Sequence, residues 1–563
     1  MRRNLGARWV AACAAVALLA TGCSFTEKEQ PPPPAAPGAT PGGTLTVGIT
    51  PPGPIEPTFA ASEPGLLIAS TLCDTLVHLD PATGKLEPGI AKSWLVTEDG
   101  SITFKLREDL RFHQSGDTLT AADVVYSLER LANPAEGSYL ADVIEPIAGW
   151  EQFRSDEDDE DHATRLVGAQ AIDEYALQVQ LTTTDQDVVR MFAHPATAPI
   201  NSAAVEVNPV AFARQPSCVG PYQLTEPTKD DATAIRLERD PRYDAGNVAY
   251  TGGGSGYADN IIFRTYPSDA ATVTAWRQGK VDIVNVPTSE AITLLKSRTT
   301  AKELIHGPSP AVEMIGLPSG APGALPGLGE AAVRQALSLG LDRTRLAKVV
   351  YGSTRIPATG FVPPGVTGVD RACEKTVSAK PDLDAANRLL SDAGVTLAGK
   401  TLPIYYNDEY TNADLVREVA AQWRDAFGLK AEPKAVSWEE LLDKTLGSGI
   451  DGAFRVSWAP DVLAQGNYLV PLVSDTEDGP NLGRFAAPVI DNTLTNLAFA
   501  DGGDRSIYVD KLSTQVCDEL PAIPLLFGQT HWLIRTEKID PARDDVIDPS
   551  GRLLLRELYH PTT

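Results

Sequence analysis

The chain has 563 residues, 48 basic and 74 acidic side chains, a formal charge of −26, and 43% hydrophobic residues. At about 100–200 residues per domain this length calls for two or more domains, and the ordinary apolar fraction excludes wholesale disorder. The acidic excess excludes a phosphate-binding basic face, so no nucleic-acid partner is expected, and no apolar run of about 18 residues follows the N-terminus to span a bilayer.

Arg2, Arg3 and Arg8 precede an apolar, Ala-rich stretch from Trp9 to Ala20, which ends in Leu19-Ala20-Thr21-Gly22-Cys23. A positive end, a short apolar core and small residues before a cut are the layout of an export signal. Small residues followed by Cys resemble the lipobox of bacterial lipoproteins, with Ala20 where Leu is usual and Leu19 one place further back. Residues 1–22 are thus expected to be a signal and Cys23 a lipidated first mature residue; an ordinary secretory signal cleaved nearby is the alternative. Residues 23–43, rich in Pro, Gly and Ala without apolar period, read as an extended tether between membrane and folded body. The expected location is the outer face of the cytoplasmic membrane.

From residue 44 the pattern is mixed α/β. Thr44–Ile49 and Ser101–Arg107 alternate as strands, the latter with Ile102, Phe104 and Leu106 on one face. Thr120 and Asp123 form a capping box before a helix that carries Val124, Val125, Leu128 and Leu131 on one side. Ile261–Arg264 reads as a strand, and Ala271–Gln278, Ala331–Leu339, Asp382–Ala393 and a segment from Leu415 to Phe427 as helices. Gly279, Gly394 and Gly428 follow three of these as left-handed stops.

Beyond Cys13 and Cys23, four cysteines remain: Cys73, Cys218, Cys373 and Cys517. An even number in an exported chain points to two disulfides with three possible connectivities, buried free thiols being the alternative.

Reactive constellations are missing. The His residues are scattered without HxH or HExxH, there is no CxxC and no GxSxG, so neither an enzyme, a metal site nor a cofactor is expected. The run from Asp156 to Asp161 lacks the alternating ligands and Gly of a calcium loop and reads as a solvated acidic loop. Gly394-Val-Thr-Leu-Ala-Gly399-Lys400-Thr401 satisfies GxxxxGK[ST], but a phosphate loop needs a strand before it and a helix after it. Here a helix precedes and the strand-like Leu402–Tyr406 follows, so no helix N-terminus faces a ligand.

The segment from Glu87-Pro-Gly-Ile-Ala-Lys-Ser-Trp94 through Asp99-Gly100, Phe104–Arg107, Arg111-Phe-His113, Gly116 and Leu119–Leu128 resembles the signature of the extracytoplasmic solute-binding proteins of family 5, the peptide and nickel receptors of bacterial ABC importers. Gly220-Pro-Tyr222, Gly279-Lys-Val-Asp-Ile283, Val333–Leu337 with Asp342-Arg343, Leu389–Gly394, Trp458-Ala-Pro-Asp461 and Pro521-Ala-Ile-Pro524 extend the resemblance, in order, over most of the chain.

The resemblance implies a two-lobed α/β fold of the periplasmic-binding-protein type (class II, the large peptide-binding variant), hinged between its lobes. Lobe I is expected over 44–308, lobe II over 309–519, and a return to lobe I over 520–563. It implies that Asp461 meets the α-ammonium of a peptide, that Trp458 lines the pocket, that Arg455 can meet the peptide carboxylate, and that Tyr406 and Asn407 lie in a pocket-lining stretch. Cys218-Val219 replaces the family's Gly-Thr before Gly220. Pairing Cys73 with Cys218 and Cys373 with Cys517 keeps each bridge within one of the implied lobes. The function implied is a monomeric lipoprotein, anchored in the membrane through its lipid, that captures peptides or another small solute for an ABC permease. Nickel chelate, haem or an oligosaccharide as cargo, or a non-transport role in the cell envelope, are the alternatives.

Overall fold

The computed structural model describes residues 42–560 apart from 98, 156–161, 183–185, 227–233, 244–255, 298–299, 319–324, 326, 368–371, 409–410, 447–449, 475–480, 482, 501 and 542–544. The signal, Cys23, nearly all of the tether and the acidic run 156–161 therefore lie outside the described residues.

One large mixed sheet runs through the molecule. From one end its strands are Lys430–Val436, Thr401–Asn407, Ala453–Trp458, Leu304–Gly316, Ala522–Ile534, Ile283–Asn285, Thr44–Ile49, Asn260–Thr265, Ile235–Arg239 and Tyr222–Thr225, with Ile356–Pro357 paired to Ala522–Ile534 off this path. The two strands in the middle, Leu304–Gly316 and Ala522–Ile534, are antiparallel and 13 residues each, and they join the two lobes of the fold.

Their ladder is interrupted where the lobes meet. Gly307 faces Thr530 and Pro308 faces Gln529, but the next pair is Val312 with Phe527. Pro308 and Pro310 have no N–H to give to a ladder, and proline inside a sheet belongs at such breaks. In the second long strand, residues 522–527 pair with Val312–Gly316 and Ile356–Pro357.

In the first lobe, Thr44–Ile49 runs parallel to Asn260–Thr265 and Ile283–Val284. A separate antiparallel sheet, Ala91–Val96, Ser101–Leu106, Ala176–Gln180 and Ala169–Asp173, packs against the helix Ala121–Ala132. Ile102, Phe104 and Leu106 are fully buried, as are Val124, Leu128 and Leu131 on the helix. Its N-terminus carries the capping box, Thr120 and Asp123 bonding reciprocally, so two otherwise orphaned donors are satisfied.

In the second lobe, Ala331–Leu339, Leu383–Asp392 and Asn412–Phe427 pack around Trp423, whose ring is fully buried and donates Nε1–H to the Leu337 carbonyl at 2.9 Å. Gly279, Gly394 and Gly428 all take positive φ (73°, 66° and 66°) behind their helices. The GxxxxGK[ST] segment lies between the helix Leu383–Asp392 and the strand Thr401–Asn407. The N–H groups of Gly399 and Lys400 bond the carbonyls of Gly428 and Leu397, so they form a turn and cradle no phosphate.

Disulfides join Cys73 to Cys218 and Cys373 to Cys517, the first inside the first-lobe core and the second inside the second. Gly220 stands beside the first bridge, where a Cβ would sit 2.2 Å from the Leu72 carbonyl oxygen; only glycine lets this segment press on the end of the helix Glu63–Leu72. No described helix is long and apolar enough to cross a membrane, and the described residues hold no cluster of three or more His, Cys, Asp or Glu able to bind a metal.

Candidate binding cleft between the lobes

The interruption in the central ladder opens onto a cavity of about 510 Å³ between the lobes. Its floor comes from the two long strands: Ser309 and Pro310 from one, Gln529, Thr530 and His531 from the other. The first lobe supplies Glu63, Arg190, His194, Asn285 and Arg552, and the second supplies Ala459, Pro460, Asp461 and Leu463.

Asp461 follows the strand Ala453–Trp458, on the loop that leaves it. Burial, and then the carboxylate of Asp142 on the first lobe, push its carboxyl above the usual carboxylate range. A positive ligand group beside this carboxyl would favour its ionised form.

Trp458 is a neighbour of the cavity lining that braces this loop. Its ring packs against the second-lobe core and Nε1–H donates to the Asn467 carbonyl at 2.9 Å, while Asn467 donates from Nδ2 to the Val462 carbonyl at 3.0 Å. Val462 in turn packs on the first-lobe core. Trp458 and Asn467 thereby fix the residues on either side of Asp461.

The other three expected site residues are elsewhere. Arg455 pairs with Glu313 of the neighbouring strand, Nε lying 3.0 Å from Oε2, and Arg355 approaches the same carboxylate at 4.0 Å. Tyr406 is 5% exposed and packs in the second-lobe core. Asn407 accepts hydrogen bonds from Asn412 Nδ2 on both its carbonyl oxygens, at 3.1 Å, which ties the strand to the start of the helix Asn412–Phe427. None of the three lines the cavity.

The first-lobe wall has a different character. Glu63 opens the helix Glu63–Leu72, capped by Ser62, and accepts from Asn285 Nδ2; burial, and then Asp269, raise its pKa. Arg190 donates to the Gly84 carbonyl at 2.6 Å and approaches Asp187 at 3.5 Å. Arg552 is held on Asp548 through Nε and Nη2, at 3.2 and 3.1 Å. The His194 Nδ1 accepts the N–H of Ala196 at 3.2 Å, and burial, then the charge of Arg552, push its pKa down to about 3. The ring is therefore neutral, with its proton on Nε2.

Sequence reasoning missed Glu63, Arg190, His194, Asn285 and Arg552. Ser62-Glu63 carries only a helix-start signal, Arg190 and His194 sit in a short 3-10 segment and the turn after it, and Arg552 lies in the C-terminal return. Nothing local marks any of them as facing a cleft. The nearest available signal was the position of Thr530 and His531 shortly after the Pro521–Pro524 motif, on a strand the resemblance already placed at the hinge.

A family model described as "Bacterial extracellular solute-binding proteins, family 5 Middle" matches residues 85–480. The chain is 25% identical over 463 residues to the periplasmic oligopeptide-binding protein OppA of Escherichia coli (strain K12), covering 80% of this chain and 81% of that protein. It is 26% identical to the probable di/tripeptide-binding protein 5 of Pseudomonas aeruginosa (strain UCBPP-PA14), covering 84% of this chain and 88% of that one. Its fold is that of the MppA periplasmic murein tripeptide binding protein in its unliganded open form, with a TM-score of 0.79, 21% identity, and coverage of 93% of this chain and 99% of that one.

Proposed function

Because the chain belongs to the bacterial extracellular solute-binding proteins of family 5, a family of binding proteins and not of enzymes, we propose that it captures peptides between its lobes and delivers them to an ABC importer. The observation that carries this reading is Asp461, an acidic group on the wall of an interlobe cavity with no cationic partner among the described residues that line its side of the cleft. A peptide α-ammonium is the positive group that such a carboxylate can pair with, and pairing removes the cost of keeping it desolvated. Trp458 holds the loop in place, and Arg455, Tyr406 and Asn407 support the wall from behind.

A cavity of this size takes a short peptide and is too small for a folded polypeptide, consistent with the ~300–1,000 Å³ typical of small-ligand sites. The two strands at the break form a natural hinge, and closure over the ligand would present a single shape to the permease. The relatives named as oligopeptide- and di/tripeptide-binding support peptide as the cargo. Export under the signal of residues 1–22, anchoring through a lipid on Cys23, action as a monomer, and lobe limits at the ladder break complete the proposal.

The test is calorimetry with tripeptides on the purified protein and on Asp461→Ala. Loss of affinity in the variant with an unchanged circular dichroism spectrum is expected; equal affinity would remove the ammonium anchor. The lipid anchor is tested separately: Cys23→Ala is expected to release the protein from membranes.

A further inference from the structure

The cavity has two unlike walls. On the second lobe the polar group is a carboxylate, Asp461. On the first lobe, besides Glu63 and Asn285, three donors line the cavity: Arg190, His194 and Arg552.

What each has left to give follows from its partners. Arg190 uses Nη1 on the Gly84 carbonyl and Nε, at long range, on Asp187, so Nη2 has no partner among the described residues. Arg552 uses Nε and Nη2 on Asp548 and Nε on Ser550, so Nη1 has none. Both guanidiniums are mostly buried, 10% and 17% exposed, and each is held by protein contacts on the edge it has already used. His194 has its Nδ1 lone pair filled by the Ala196 N–H, which leaves Nε2–H as a donor. Asp548 and Asp187 offset part of the positive charge, so the wall acts through oriented N–H groups more than through net charge. Three donors without a matching acceptor select a ligand that accepts several hydrogen bonds at once. A carboxylate is such a group, able to accept the one unpartnered Nη that each arginine has left as well as the His194 Nε2–H.

We propose that Arg190, His194 and Arg552 form a carboxylate subsite on the first-lobe wall, so that a short zwitterionic peptide bridges the lobes with its ammonium on Asp461 and its carboxylate on these three donors. The inference rests on the peptide reading above. It removes the need for Arg455, whose guanidinium is on Glu313, as the carboxylate partner. It also gives closure a physical cause: each end of the ligand is held by a different lobe, so contacts to both are complete only when the lobes approach.

The test uses native mass spectrometry of the mature protein with two random tripeptide libraries, one of free acids and one of C-terminal amides. The free-acid library should be retained at least tenfold better. A third library, C-terminal amides containing Glu, separates a terminal carboxylate from a side-chain one: retention comparable to the free acids assigns the subsite to an acidic side chain. In Arg190→Gln and in Arg552→Gln the ratio of free-acid to amide retention should shrink toward one. Equal retention of acids and amides by the wild-type protein overturns the subsite and leaves peptide binding intact. Retention of no library at all overturns the peptide reading together with it. The wild-type comparison requires no variant, so a failure of either variant to fold does not weaken it.

Discussion

Arg455 and Glu313 lie on adjacent strands and face each other as an ion pair, with Nε 3.0 Å from Oε2 and Glu313 5% exposed. The pair stitches Ala453–Trp458 to Leu304–Gly316 immediately beside the ladder break, so the strand that leads to Asp461 is fixed to the strand that leads to the hinge. The guanidinium is thereby committed to a structural partner.

Arg455→Met should therefore act on stability more than on ligand affinity. Removing one partner of a buried pair leaves the other charged and poorly solvated, which costs about 3–5 kcal/mol. Arg355 at 4.0 Å softens the loss only in part. Urea denaturation should report that drop, and the double variant Arg455→Met/Glu313→Leu should recover much of it. A single variant as stable as wild type but unable to bind peptide would reassign Arg455 to the ligand.

Peptide affinity should depend on pH through Asp461. Burial and Asp142 raise its carboxyl above the ordinary range, so the ionised form that attracts an ammonium is depleted sooner as pH falls. Calorimetry across the acid range should show affinity declining as pH falls through this raised value, with proton release on binding there. In Asp142→Asn the decline should move to lower pH. An unmoved profile would separate Asp142 from the anchor.

Asp74 and Arg556 lock the C-terminal return to the first helix of the fold. Arg556 Nη1 donates to Asp74 at 2.7 Å and Nη2 to the Ser70 carbonyl at 2.9 Å, and the Tyr243 hydroxyl donates to the same carboxylate. Burial alone would raise the Asp74 pKa, but Arg556, then His78 and Tyr243, outweigh it and hold it below the usual range. A carboxyl depressed in the folded state stabilises the fold above its unfolded pKa, and this is lost as pH falls through the folded one. Arg556→Met should cost about 3–5 kcal/mol near neutral pH and less in strong acid, measured by denaturation at both.

Each disulfide spans about the same length of chain, 145 residues for Cys73–Cys218 and 144 for Cys373–Cys517. Loss of either should cost about 2–5 kcal/mol, chiefly by freeing the unfolded chain. Because the bridges lie in different lobes, Cys→Ala pairs should lower two separate transitions in calorimetry. A common shift of a single transition would mean that the lobes unfold together.

Much of the fold was legible because local pattern and tertiary need agree. The alternation of Ile102, Phe104 and Leu106, the Thr120–Asp123 box and the glycines after three helices are each satisfied by contacts within one element or its cap, so the chain announces them without its partners. Trp458-Ala-Pro-Asp461 likewise points to a cleft residue, Asp461. Tyr406, Asn407 and Arg455 do not follow it there. On a strand, successive side chains point to opposite faces, and which face is cleft or core is decided by the neighbouring strands.

The 563 residues by themselves determined the acidic, multi-lobed α/β character, the exclusion of a phosphate loop at Gly394–Thr401, and the family resemblance, since each rests on spacing along the chain. Only the tertiary structure decided which residues besides Asp461 face the cavity. Glu63, Arg190, Asn285, His531 and Arg552 come from five separate stretches, and nothing in their sequence neighbourhoods relates them to one another or to Asp461. They share a cavity because two long strands break register at Pro308 and Val312, and a break in a ladder is a property of a pair of strands that neither strand carries alone.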